Sequence, residues 1–255
     1  MATVCICFQL ASKHPTLSAL PSDAQPEKTI RIVCRLCMLL PSQGKTEAAE
    51  KYLARALRQY PNDWRLLAVS AWLEWRSRRN PASQIEACRA SLPEVETEST
   101  LRARALMNDL SGGWLQAAES YQALNESNST ALAWVQLGDQ LLKGKNHPEA
   151  LKQYEQAAMI WQDTDFCGMA LTLYRQAELE LLERRKAKAV ALLKESLSLL
   201  EKSTPTLRAE PRGAIQKALT MINARNYGEW KYWRWQPFDD LIRIRFLLPL
   251  FQEVK

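Results

Sequence analysis

Histidine and cysteine are the residues from which a catalytic or metal site is most often built, and histidine is sparse here. The chain has two histidines, His14 and His147, and neither lies close in sequence to a candidate nucleophile or at a metal-ligand spacing. The glycine pair Gly112-Gly113 stands alone and is more typical of a helix end than of a phosphate-binding loop. The sequence therefore predicts a non-enzymatic protein without catalytic residues or a cofactor.

Four cysteines are paired at short spacing, as Cys5-x-Cys7 and Cys34-x-x-Cys37. Four thiolates are the number that a structural zinc ion needs. Cys34 and Cys37, however, lie in a run of apolar residues, where small buried thiols are common core residues. We predict no metal site, and zinc held by the two pairs stays open as the alternative.

The charge balance is mildly basic, with 34 Lys and Arg against 28 Asp and Glu and a formal net charge of +6. A surplus of this size without a run of like charges is typical of a solvated surface. No stretch approaches the roughly 20 apolar residues that span a bilayer, and no basic residue precedes the apolar run at residues 4–10. We therefore expect a cytoplasmic protein with no transmembrane segment.

The residue types favour helices as the elements that position any site. Leu and Ala are abundant and Val and Ile are few, which favours α-helix over sheet. Residues 1–29 contain Pro15, Pro21 and Pro26 and are predicted to form a loose N-terminal arm. From Ile30 onwards the apolar residues recur at helical spacing. The sequence predicts an all-α protein.

The clearest repeated pattern runs from residue 131 to residue 164. Its ordered positions are Trp134, Leu137, Gly138, Leu141, Ala150, Tyr154 and Ala157. This order resembles the tetratricopeptide repeat, which has Trp-x2-Leu-Gly-x2-Tyr and then Ala-x3-Phe over 34 residues. Gly138 and Ala150 are small, so the two helices of the unit can approach closely, and Pro148 suits the first turn of the second helix.

Weaker matches continue the resemblance at nearly the same period. Units begin near residues 30, 64, 98 and 166, and the second helix of the last unit lies 39 residues after that of the fourth. The resemblance implies a right-handed superhelical solenoid of about five helix pairs over residues 30–202. Pro41 is expected to cut the first helix short.

The chain beyond the repeats departs from the family pattern. Residues 203–225 are predicted to hold a capping helix that begins at Pro211, and residues 226–255 form a tail rich in aromatic and basic residues. Its tail patch contains Trp230, Trp233 and Trp235. We expect the tail to seal the last repeats, while docking of a protein partner, nucleic acid or lipid stays open.

The resemblance also implies a function, that of a non-enzymatic adaptor or scaffold that binds a protein or peptide in a concave groove lined by first helices. The predicted groove residues are Arg31, Arg35, Arg65, Trp72, Arg102, Gln136, Asp139, Tyr174, Arg175 and Glu178. Arginines and aromatic rings suit peptides that carry carboxylates. As the alternative, the arginines form ordinary ion pairs with neighbouring helices.

Other members of related repeat families bind chaperone tails or RNA. Cys34 and Met38 occupy the positions where chaperone-binding members carry a carboxylate clamp, so that activity is not implied. Trp64, Trp72 and Trp75 resemble the aromatic first helix of the half-a-tetratricopeptide repeat of RNA-processing proteins. The alternative function is therefore binding of RNA or a membrane surface through the groove arginines and the tail.

Overall fold

A computed structural model describes residues 26–203, 205–223, 236–247 and 249. In these ranges the regular elements are α-helices and one short 3-10 helix, with no strand, which confirms the all-α prediction. The helices are α1 (Pro26–Leu39), α2 (Thr46–Gln59), α3 (Trp64–Arg76), α4 (Ala82–Ser91), α5 (Glu98–Leu110), α6 (Trp114–Ala123), α7 (Ser127–Lys143), α8 (His147–Trp161), α9 (Phe166–Leu182), α10 (Lys186–Glu201), α11 (Pro205–Asn223) and α12 (Gln236–Leu247); the 3-10 helix is Leu40–Gln43.

The described residues form two compact units, one made of those up to residue 113 together with those from residue 244 onwards, the other of those between residues 114 and 243. In the first unit α1 packs against α2 and α3, and α3 packs against α4 and α5. In the second unit each helix from α6 to α10 packs against the next one in the chain, and α7 also contacts α9. Consecutive helix pairs whose first helices lie side by side are the arrangement of a helical-repeat protein.

The repeat period is visible in the backbone of the turns. A residue with positive φ, between 58° and 83°, follows the first helix of each pair, at Gly44, Arg78, Gly112, Lys145 and Arg184. The successive spacings are 34, 34, 33 and 39 residues, as the sequence pattern predicts. The last interval is longer than the one before it mainly because it contains α8, which has 15 residues, where the interval before it contains α6, which has 10.

Each of these turns closes its helix with the same pair of backbone hydrogen bonds. At Arg184 the N–H donates to the carbonyl of Leu181 at 2.9 Å, and the N–H of Arg185 donates to the carbonyl of Glu180 at 2.8 Å. The same two bonds recur after α3, α5 and α7. This is the Schellman ending, which favours glycine at the left-handed residue. In three of the turns the residue with positive φ is an arginine or a lysine. The ends of those three helices could therefore not be predicted from a glycine.

The predicted boundaries need two corrections. Helix α1 begins at Pro26, so the last four residues of the predicted arm are helical, and residues 1–25 lie outside the described residues. The capping helix begins at Pro205 rather than Pro211, which lies inside it. Proline is favoured at the first position of a helix, so Pro205 explains the earlier start. Pro41 does end the first helix, as predicted, and lies in the 3-10 turn.

The capping helix and part of the tail contribute to the hydrophobic core of the second unit. Ile215 and Ile222 are buried in this core, with Leu219 partly buried against it, as the pattern predicts. Ile242, on α12, belongs to the same core. The patch of Trp230, Trp233 and Trp235 lies outside the described residues, so its sealing role stays a prediction.

Two glycines in the second unit let aromatic rings lie directly on a helix backbone. A Cβ atom on Gly138 would stand 2.5 Å from Cε1 of Tyr154, so this glycine has the role that the repeat pattern predicts. Gly168 accommodates the ring of Trp161 in the same way, and the indole N–H of Trp161 donates to Oδ1 of Asn128 at 2.9 Å. The second contact was not predicted.

A substitution of Ala150 tests the predicted close packing of α7 against α8. The residue is fully buried, and a larger side chain there must displace its neighbours. Ala150→Leu is therefore expected to lower the free energy of unfolding by about 1–3 kcal/mol, measured by urea denaturation. Ala191→Leu, at an exposed position of α10, is the control and should change little. Equal stability of the two variants would contradict the assigned repeat register.

Candidate functional site

Three of the predicted groove arginines lie on two neighbouring helices of the first unit. Arg31 and Arg35 are one turn apart on α1, and Arg65 is in the first turn of α3. Glu27 links Arg31 to Arg65, and Asp63 forms a second ion pair with Arg65. We call the three arginines and these two carboxylates the basic cluster.

Asp63 connects the start of α3 to Arg65. Its Oδ1 accepts hydrogen bonds from the backbone N–H groups of Arg65 at 3.0 Å and Leu66 at 3.3 Å, so it is the N-cap of the helix. The guanidinium of Arg65 also donates to both carboxylate oxygens of Asp63, with Nη2 at 2.7 Å from Oδ2. Bidentate pairing of this kind holds the arginine side chain in one orientation.

Glu27 is shared by two arginines. Its Oε1 accepts from Nη1 of Arg65 at 2.5 Å and from Nε of Arg31 at 3.0 Å. The hydrogen bond from Arg65 holds the pKa of Glu27 below its ordinary value, with Arg31 adding to the effect. Arg35 is exposed and makes no ion pair with any residue that the structure describes. The cluster therefore holds two arginines in place and leaves a third open to solvent.

A second group of predicted groove residues meets inside the second unit. The hydroxyl of Tyr154 donates to Oδ1 of Asp139 at 2.8 Å, and Nε of Arg175 lies 3.0 Å from the same oxygen. Nη1 of Arg175 lies 3.4 Å from Oε2 of Glu178. We call these four residues the buried network. It joins three helices, α7, α8 and α9, through charged and hydroxyl groups.

Burial of the network contradicts the prediction that its members face an open groove. The side chain of Arg175 is 2% exposed and that of Asp139 is 7% exposed. Burial also raises the pKa of the Tyr154 hydroxyl well above its ordinary value. Helix α9 packs against α7, α8, α10 and α11, and each of its residues from 170 to 175 is buried. Glu178 is the most exposed carboxylate of the network, at 15%.

The predicted aromatic lining is buried as well. Trp72 is fully buried and Tyr174 is 4% exposed, which contradicts their placement on a groove surface. Every residue from 66 to 73 on α3 is buried, because α3 packs against α1, α2, α4 and α5. The indole N–H of Trp72 has no hydrogen-bond partner among the residues that the structure describes. These rings stabilise the repeats and cannot stack on a peptide in this conformation.

Two further groove residues have different surroundings. Arg102 is buried, in contrast to the prediction, and its guanidinium lies against Glu98 and Phe246. Gln136 is partly buried, and within the described ranges its side-chain oxygen has no hydrogen-bond partner. Of the ten predicted groove residues, Arg35 is thus the one whose side chain is largely exposed, with Arg31 at 25% exposure.

The cysteines of α1 are core residues. Cys34 and Cys37 are fully buried, and Sγ of Cys37 donates to the carbonyl of Ala49 at 3.2 Å. Burial raises the pKa of the Cys37 thiol to about 12, so the metal-binding thiolate is disfavoured. Cys5 and Cys7 lie outside the described residues. The described part of the chain contains no group of three or more metal-ligand side chains.

The sequence analysis missed the acidic partners of the arginines. Asp63 could have been found from its position directly before an apolar helical run, which is typical of an N-cap. Glu27 lies four residues before Arg31, the spacing of an ion pair on one helix, but it was assigned to the loose arm. No sequence signal relates Phe246 to Arg102, 144 residues away.

A comparison with models of protein families identifies the type of helical repeat. The tetratricopeptide repeat family model matches residues 40–98 and 102–163. These residues are tetratricopeptide repeats. The matched ranges extend from the 3-10 turn to the end of α8, and the pair α9–α10 continues the repeat beyond them. No curated protein matches the sequence.

Family membership supports a coarse functional statement. Tetratricopeptide repeats are commonly scaffolds for protein interaction and are typically not enzymes. Among the helices that the structure describes, none is both long enough and apolar enough to cross a membrane.

Proposed function

We propose that this tetratricopeptide repeat protein is a non-enzymatic adaptor that binds an acidic segment of a protein partner at the basic cluster. Arg35 carries this proposal, because it is exposed on the same helix as Arg31 and has no described carboxylate as a partner. The family membership supports a protein ligand over a small molecule.

The charges of the basic cluster favour a carboxylate ligand. Glu27 and Asp63 pair with Arg31 and Arg65, and Arg35 adds a positive charge that no described carboxylate pairs with. Glu27 and Asp63 orient Arg31 and Arg65 before a ligand arrives, which reduces the entropy lost on binding. A guanidinium can then donate two parallel hydrogen bonds to an Asp, Glu or C-terminal carboxylate.

Affinity capture with the full chain tests this function. Partners captured from a cell extract are identified by mass spectrometry, and the dissociation constant of the main partner is measured for each variant. Arg35→Glu is expected to weaken binding roughly tenfold or more, since a hydrogen bond to a charged group contributes about 1.5–3 kcal/mol. The fold should be unaffected because Arg35 loses no described ion pair.

Arg58→Glu is the matched control for charge. Arg58 is exposed on α2 of the same unit and makes no ion pair with a described residue. Its replacement changes the net charge as much as Arg35→Glu does, and we expect it to leave binding within about twofold of the wild type. Equal binding by the two variants would place the partner somewhere other than the basic cluster.

RNA binding is the competing function, since arginines also bind phosphate. Affinity for RNA should fall steeply as salt rises if phosphate contacts dominate. A salt titration with single-stranded RNA separates the two functions, and the absence of binding at low salt would remove this alternative. Anionic vesicles test the membrane alternative in the same way. The cytoplasmic location stays a prediction.

A further inference from the structure

The last turn of α12 is bound by a buried arginine of the first unit. Nη1 of Arg102 donates to the carbonyl oxygen of Phe246 at 3.3 Å, and the guanidinium carbon lies 5.1 Å from the centroid of the Phe246 ring. Glu98 accepts a hydrogen bond from Nε of Arg102 at 2.9 Å and so holds the guanidinium. We call Arg102 and Glu98 the Arg102 site.

These contacts recognise two chemical features of a helix end. The carbonyl groups in the last turn of a helix lack partners within the helix and carry its partial negative charge, so a cation there is favourable. The face of an aromatic ring also attracts a guanidinium. The Arg102 site thus fits a helix that ends with an aromatic residue in its final turn.

Helix α12 buries charged as well as apolar side chains. Its buried residues are Asp239, Asp240, Ile242, Arg243, Ile244, Phe246 and Leu247. Charged residues are rarely fully buried unless they are paired, and transient interfaces contain more polar surface than permanent ones. Arg243 and Asp239 lie 3.8 Å apart on the helix, so α12 carries part of its own charge compensation.

We propose that the last turn of α12 is an intramolecular ligand of the Arg102 site, and that a partner helix with an aromatic residue in its final turn competes for it. This inference rests on the proposed function, because the site belongs to a protein-binding scaffold. A tethered segment has an effective concentration of the order of millimolar. A partner helix must therefore bind the Arg102 site more tightly than the tethered helix α12 does in order to displace it.

A peptide exchange experiment on the full chain tests the proposal. The probe is a fluorescein-labelled peptide of residues 236–250, and its binding is measured by fluorescence anisotropy. Phe246→Ala in the chain weakens the intramolecular contact, so the peptide should bind this variant at least tenfold more tightly than the wild type. Circular dichroism and thermal melting check that the variant is folded. Unchanged or weaker peptide binding to folded Phe246→Ala would overturn the proposal.

Arg102 should be required for the peptide to bind. In the Phe246→Ala background, Arg102→Gln is expected to weaken peptide binding at least tenfold. Arg104→Gln is the matched control, because Arg104 lies two positions away on α5 and is 42% exposed. It should leave the peptide affinity within about twofold. Equal affinities of the Arg102→Gln and Arg104→Gln variants would show that the peptide binds elsewhere and would overturn the proposal.

Hydrogen exchange of the wild-type chain provides a second test if Phe246→Ala does not fold. An isotope-labelled peptide of residues 236–250, distinguishable by mass, is added in excess. The amides of α12 in the chain should then exchange at least tenfold faster, while those of α5 stay protected. Unchanged exchange at α12 would overturn the proposal, and so would a wild-type chain that dimerises by exchanging α12 between copies.

The peptide experiments involve no cellular partner. Failure of exchange at the Arg102 site would leave partner capture by the basic cluster intact, and loss of capture in Arg35→Glu would leave peptide exchange intact. The two proposals therefore fail separately.

Discussion

Replacing Arg175 with methionine is expected to lower the free energy of unfolding by about 3–5 kcal/mol. The substitution keeps much of the side-chain volume but removes the cation beside the buried carboxylate of Asp139. The hydroxyl of Tyr154 still donates to Asp139, yet a hydroxyl does not neutralise a buried charge. Urea denaturation followed by circular dichroism measures the loss.

Two further variants show whether burial of the charge is the cause. Arg212→Met removes an ion pair with Glu201 in which both side chains are 50% exposed, and should cost less than about 1 kcal/mol. Adding Asp139→Asn to Arg175→Met should recover part of the lost stability, because the more deeply buried of the two carboxylates that pair with Arg175 is then neutral. A cost for Arg175→Met as small as that for Arg212→Met would contradict the buried network.

Trp161→Ala is expected to have a comparably large effect, a loss of about 3–5 kcal/mol. Trp161 is fully buried in the core of the second unit. The substitution removes its contact with Gly168 and its hydrogen bond to Asn128. Thermal and urea unfolding of the full chain provide the measurement.

Gly168→Ala tests the contact between Trp161 and Gly168 by changing the glycine instead of the tryptophan. In the wild-type chain the new Cβ atom would overlap the indole ring of Trp161, and we expect a loss of about 1–3 kcal/mol. In the Trp161→Ala background the overlap disappears, so the same substitution should be neutral or stabilising, since alanine favours helix over glycine by about 1 kcal/mol. Additive effects of the two substitutions would rule out the contact.

Gly213→Ala is the control for helix propensity. Gly213 lies in α11, and a Cβ atom there would meet nothing within 4 Å. This substitution should raise stability by up to about 1 kcal/mol in either background. The contrast with Gly168→Ala separates the overlap with Trp161 from the general effect of replacing a helical glycine.

The repeat architecture could be predicted because its signals are local. Trp134, Gly138, Ala150 and Tyr154 lie within one helix pair, and the packing of two helices joined by a tight turn follows from their spacing. The family match and the regular positions of the turns confirm this part. The predicted start of α11 at Pro211 is wrong, because Pro205 offers the same signal for a first helical residue and the helix begins there.

The surroundings of the candidate site residues could be predicted only in part. Helical spacing places Arg31 and Arg35 one turn apart on α1, where Arg35 is exposed and the side chain of Arg31 is 25% exposed. Their role in binding stays a proposal. The same reasoning failed for Trp72 and Arg175, because the position of a side chain on a helix does not reveal which helices cover that face.

The sequence by itself thus determined the all-α fold, the repeat period and the residues that form each helix pair, since all three depend on neighbours within about 35 residues. Tertiary structure decided which charged residues stay exposed. Asp139 meets Arg175 across two helices, and Arg102 meets Phe246 across 144 residues. The physical reason is that exposure depends on every element packed around a side chain, and most of those elements are remote in the sequence.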